Sequence, residues 1–202
     1  MKFRALIIII SMLLLASCDS NRLTISEKRL INSGHADSAM YVLSVFNHDD
    51  SLILRKNATN VPRAGNKHMQ LLGQRMLSTV QHPNSLGVGI AAPQVGISRR
   101  LILVQRFDKE GEPFEVYFNP LILAGSDEMA TRDEGCLSIP GYRGPVERPY
   151  GIKVKYLNEK GEEITETVEG FTARIFQHEI DHLNGMLYTD LLKSDSLFRK
   201  VE

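Results

Sequence analysis

Residues Gln177, His178, Glu179, Ile180, Asp181 and His182 form the stretch that most constrains this chain. Two histidines four positions apart share one face of an α-helix, with a glutamate one step beyond the first. That spacing lets both imidazoles reach one metal ion and sets the Glu179 carboxylate beside an activated water. The competing reading is a core helix with two hydrogen-bonded histidines. Its surroundings weigh against that: Phe171, Ile175, His178 and His182 fall on one stripe, while Phe176, Ile180, Leu183 and Leu187 cover the opposite side. A helix apolar all round is a central one. Two imidazoles in a core need partners, and a metal satisfies both at once. Asn184-Gly185 suits a left-handed cap at the helix end.

A catalytic site of this kind uses three protein ligands. Downstream, Tyr188 stands where a metzincin-like run would place a third histidine, so the search moves upstream. Cys136, within the run from Asp133 to Gly141, has three competing roles. It could form a disulfide with Cys18, act as a nucleophile served by His178 or His182, or ligate the metal. Ligation fits better, because a thiolate and two imidazoles complete a three-ligand set.

At 202 residues, 43% hydrophobic and 24% charged, the chain can bury one substantial core. Its zero formal net charge carries no nucleic-acid signature. The first eighteen residues read as a targeting segment: Lys2 and Arg4 precede an apolar run from Ala5 to Ala16, too short to cross a bilayer. Leu15-Ala16-Ser17-Cys18 resembles a bacterial lipobox, in which Cys18 is lipidated and becomes the mature N-terminus. An ordinary cleaved signal or a short anchor is the alternative. The expectation is an extracytoplasmic protein attached to a membrane through Cys18. Residues 19–50 then form a tether with a short helix or strand near 40–46. Residues 51–192 form the catalytic domain, and 193–202 a tail.

Met69, Leu72, Met76 and Val80 predict an amphipathic helix over 67–80. Strands are predicted over 100–107 and 114–118 with a turn at 108–111, and over 150–157 and 162–168 with a turn at 158–161. One early and one late helix around these strands indicate an α+β fold with mostly antiparallel sheet. Gly87, Gly89 and Ala92 imitate a dinucleotide fingerprint, but a polar loop precedes them and Pro93 interrupts. Small residues there suit an extended backbone close to a ligand, with the Gln94 amide facing a substrate oxygen. A plain turn and strand is equally open.

Taken together, the runs from Gly87 to Gln94, Glu134 to Ser138 and Gln177 to His182 resemble the three signature motifs of peptide deformylases, in the same order and spacing. Ile53-Leu54-Arg55-Lys56 resembles that family's N-terminal stretch, and the resemblance spans roughly residues 50 to 192. It implies antiparallel sheets packed around a central C-terminal helix that carries the histidines. It implies Cys136, His178 and His182 as metal ligands, Glu179 as general base, and Gln94 with the Leu137 N–H as oxyanion-stabilising groups. Val88, Gly89 and Ile90 would lie in the substrate-contacting strand. The implied cofactor is one divalent metal, often ferrous iron, although the donor set also suits zinc, nickel or cobalt. The implied substrate is an N-formylmethionyl peptide, with formate released by a monomer.

Three features depart from the family pattern. Ile90 replaces a leucine, and Arg174 sits near the methionine pocket, where an apolar residue is common. An export signal is unusual for an enzyme of nascent chains. Location therefore keeps two rivals open: a surface metalloamidase for another small N-acyl amine, and a non-enzymatic lipid-tethered binding protein.

Overall fold

A strand buried on both faces reads as an unbroken apolar run, and Leu101-Ile102-Leu103-Val104 is such a run. The computed structural model describes residues 22–83 and 85–201. In chain order its elements are α1 (Ile25–Ile31), α2 (His48–Leu54), α3 (Lys67–Val80), β1 (Gly89–Ala91), β2 (Leu101–Gln105), β3 (Phe114–Gly125), β4 (Met129–Cys136), β5 (Ile139–Pro149), β6 (Gly151–Leu157), β7 (Glu163–Glu169), α4 (Gly170–Leu183) and β8 (Arg199–Lys200). The fold is α+β, with one antiparallel sheet in the order β1-β2-β3-β6-β7 and a second in the order β4-β5-β8.

Period-2 alternation along β2 explains the layering. Leu101 and Leu103 join Met69, Leu72, Met76 and Val80 of α3 in one core cluster. Ile102 and Val104 join Ile175, Phe176, Ile180 and Leu183 of α4 in the other. The large sheet is thus covered by α3 on one face and by the histidine helix on the other. Fully burying each of these side chains contributes about 1.5–3 kcal/mol.

The predicted helix over 67–80 forms as α3, and both predicted strand pairs form. Other expectations give way. Residues 40–46 adopt no regular element, and the short helix lies beyond them at α2. Helix α4 ends at Leu183, so Leu187 lies outside it and packs in a third cluster with Ile139, Val146 and Tyr188. Gly185 then turns the chain at φ 68, in the left-handed region, with Arg55 O 2.5 Å from where its β-carbon would stand. No strand is predicted over 129–136 or 139–149, where glycine, proline and charge interrupt any alternation. The two strands exist because they pair with each other, from Met129↔Pro149 to Cys136↔Ile139.

The segment expected to be a tether packs on the domain. Thr24 and Glu27 close a capping box on α1, and Ile31 is fully buried. Arg75 of α3 donates to the carbonyls of Leu30, Ile31 and Ser38, and Arg99 pairs with Glu27 at 2.7 Å. The expected tail also pairs: Tyr142 and Arg143 of β5 face Lys200 and Arg199 of β8. No helix among the described residues is long and apolar enough to cross a membrane. Residues 1–18, expected to form a targeting segment, and Cys18, the expected site of lipidation, lie outside the described residues.

Candidate active site and metal centre

Helix α4 carries His178 and His182 on one face, as the four-residue spacing requires, and the end of β4 brings up Cys136. One ligand atom from each lies within 4.8 Å of the others. Cys136 Sγ stands 3.2 Å from His182 Nε2. His182 is 1% exposed and the His178 side chain 11%.

Glu134, two residues before Cys136 on β4, organises the surroundings. Its Oε2 lies 2.9 Å from His178 Nδ1, which directs the opposite ring nitrogen toward the cluster. Arg148 of β5 binds both Glu134 oxygens, at 2.6 and 2.9 Å, and donates to Asp181 Oδ2 at 2.8 Å. Arg174 donates to Glu134 Oε1 at 2.6 Å and to the carbonyls of Val146 and Ala130. Burial opposes the Glu134 charge, but His178 and Arg148 overcome it and hold the carboxyl at about 2.

Gln94 sits in the 3-10 turn Ala92–Val95 that follows β1 and is 2% exposed. Its Oε1 accepts from Ala91 N at 2.8 Å. That bond turns Nε2 toward Cys136 Sγ at 3.5 Å and Ser138 Oγ at 3.2 Å. Leu137 occupies the tight turn between β4 and β5.

A cavity of about 600 Å³ opens onto these groups. Val88, Gly89, Gln94, Cys136, Leu137, His178 and Glu179 line it, together with Phe171, Arg174 and Ile175. Ile90, expected in the substrate strand, does not. It is fully buried in the α3-side core, because alternate residues of a strand face opposite ways. Arg174 does line the cavity, but its guanidinium is spent on Glu134, Val146 and Ala130.

The polypeptide deformylase family model matches residues 42–197. The peptide deformylase of Desulforudis audaxviator is 39% identical over 163 residues, covering 81% of this chain and all of that protein. That of Thermotoga maritima is 43% identical over 151 residues, covering 75% of this chain and 86% of that one. The Met-Ala-Ser-bound crystal structure of the class I type b peptide deformylase from Acinetobacter baumannii superposes with a TM-score of 0.68. It is 40% identical and covers 77% of this chain and 99% of that one.

The chain belongs to the polypeptide deformylase family. Its function is the metal-dependent removal of N-formyl groups from nascent peptides.

In this deformylase, the residues at the cluster fit a divalent cation. A thiolate and two imidazoles are the donors expected for zinc or iron. Burial drives His182 well below the usual histidine range, leaving it neutral and able to ligate. For His178 burial pulls the same way, but the bonds to Cys136 and Glu134 win and raise its pKa well above that range. Glu179 completes the picture. Burial pushes its carboxyl up to about 7, the range of a base working near neutral pH, and its Oε2 is buried without a partner among the described residues.

Nothing in the local sequence assigns a role to Glu134, Arg148 or Asp181. Glu134 lies within one of the three motifs, but its role depends on an arginine across a hairpin whose strands carry no periodic signal.

Proposed function

We propose that Cys136, His178 and His182 hold the divalent metal of this deformylase, that Glu179 is its general base, and that its substrates are N-formylmethionyl peptides. The observation that carries the reading is a three-donor cluster beside a buried, unpaired carboxylate oxygen. When bound, the cation supplies Lewis acidity that activates a water and polarises a carbonyl.

Glu179 takes the proton of the attacking water and returns it to the departing amine, so one C–O bond forms as the C–N bond breaks. Formate and a free amino terminus result. Charge developing on the formyl oxygen is met by the Gln94 amide and the Leu137 backbone N–H, and losing one such donor typically costs about 100- to 1000-fold in rate. Gln94 is held for this by Ala91 N, so its amide needs no reorientation during the reaction. The substrate backbone lies along Val88 and Gly89. A related structure binds Met-Ala-Ser, which supports a peptide with methionine at its first position. Ferrous iron is the metal we favour, since a thiolate–imidazole set accepts it.

Residues 19–202, purified without oxygen, provide the test, with bound metal quantified and formate release from formyl-Met-Ala-Ser followed. One equivalent of metal, with formate release abolished in Glu179→Ala, is the expected result. Metal bound without formate release would point to a different acyl group, and no metal would refute the donor set.

We further propose that the protein is exported and anchored to a membrane through lipidated Cys18. The basic start, the apolar run and Leu15-Ala16-Ser17-Cys18 support this. Membrane fractionation of the full chain beside Cys18→Ser tests it, and an equal distribution of the two would overturn it.

A further inference from the structure

Tyr188 carries a hydroxyl for which the fold has no evident use. The residue opens the 3-10 turn Tyr188–Leu191 after α4 and is 1% exposed. Its Oη is buried and lacks a hydrogen-bond partner among the described residues. Leaving a hydroxyl in that state is unfavourable, a cost phenylalanine in the same space would not carry. The ring stacks on that of the candidate ligand His178, with centroids 6.2 Å apart and planes 22° apart. It belongs to the cluster against which Cys136 is packed. A tyrosine hydroxyl keeps its proton at neutral pH, so the group is a donor within the cluster that Cys136 packs against.

We propose that Tyr188 is a positioning residue for the metal centre, its hydroxyl donating to the Cys136 thiolate when the three donors close on the cation. The proposal rests on the donor-set assignment above. Cys136 Sγ already lies 3.5 Å from one donor, Gln94 Nε2. A second donor, from the cluster that Cys136 packs against, would fix the direction of the sulfur and withdraw part of its charge. Hydrogen bonds to a ligating sulfur tune its metal in this way, and losing such an outer partner typically weakens metal affinity about 10- to 100-fold.

Tyr188→Phe keeps the shape and removes the donor. The measurements are metal affinity by chelator competition, and the thiolate-to-metal charge-transfer band of the Co²⁺-loaded protein. We expect about 10-fold weaker binding and a shifted band, while the metal-free variant melts no lower than the wild type. A fluorinated tyrosine at 188, a stronger donor of nearly the same shape, should move the band in the opposite direction. Unchanged affinity and an unmoved band in both variants would reduce Tyr188 to a packing residue and overturn the proposal. Failure of the wild type itself to bind Co²⁺ would instead refute the donor set on which it rests.

Discussion

Gly89 and Glu179 can coexist because position 89 has no side chain: a β-carbon there would stand 2.6 Å from Glu179 Oε1 and 2.7 Å from Ile175 Cγ2. Both neighbours are buried on α4, so neither can give way cheaply. Gly89→Ala should therefore displace the Glu179 carboxylate and, with Glu179 as the proposed base, lower kcat/KM by about 100-fold or more. Metal content should stay near one equivalent. Near-wild-type formate release from the alanine variant would show that the β1 backbone is not held against the base.

Glu134 binds Arg148, Arg174 and His178 together. Glu134→Gln keeps the shape but leaves two buried guanidinium groups short of an anion. Removing one partner of such a cluster typically costs about 3–5 kcal/mol, and losing the orientation of His178 about 10- to 100-fold in metal affinity. Urea unfolding and chelator competition measure the two effects separately. A variant that keeps its stability would mean that the network is solvated.

Residues 22–39 should be part of the folding unit although the family match begins at 42. Without them Arg75, 4% exposed, loses its acceptors at Leu30, Ile31 and Ser38, and Arg99 loses Glu27. A chain starting at Met40 should lose about 3–5 kcal/mol of unfolding free energy or fail to accumulate as folded protein. Equal stability of the two chains would make the segment a passive tether.

Asp108 should make part of the stability pH-dependent. Its bonds to Arg106 hold its carboxyl at about 2, below the ordinary 3.8. A depressed carboxyl stabilises the fold above its unfolded pKa, and that contribution is lost as pH falls from about 4 toward 2. The side chain is a third exposed, which reduces the effect to about 1 kcal/mol. Asp108→Asn should thus narrow its stability gap to the wild type by about that amount between pH 6 and pH 2.5. A constant gap across those pH values in urea unfolding would count against the pairing.

Some of this molecule was legible in its amino-acid order because the causes are local. Helical spacing of Met69, Leu72, Met76 and Val80 yields α3, and the apolar run of β2 announces a strand covered on both faces. The spacing of His178 and His182 puts two donors and the Glu179 carboxylate on one helix. Other features became visible only when distant segments met. The strands of the β4–β5 hairpin lack alternation and are held by their mutual register. Glu134 acquires its role from Arg148 across that hairpin and from Arg174 on α4. Ile90 faces the core and Gly89 the cavity because the pleat of β1 is set by its pairing with β2. The fit of α1 depends on Arg75 and Arg99, whose partners on α1 lie more than 40 residues away in sequence. Periodicity records what one element buries, whereas a buried charge pair or a forbidden β-carbon is a relation between elements, fixed when the chain packs.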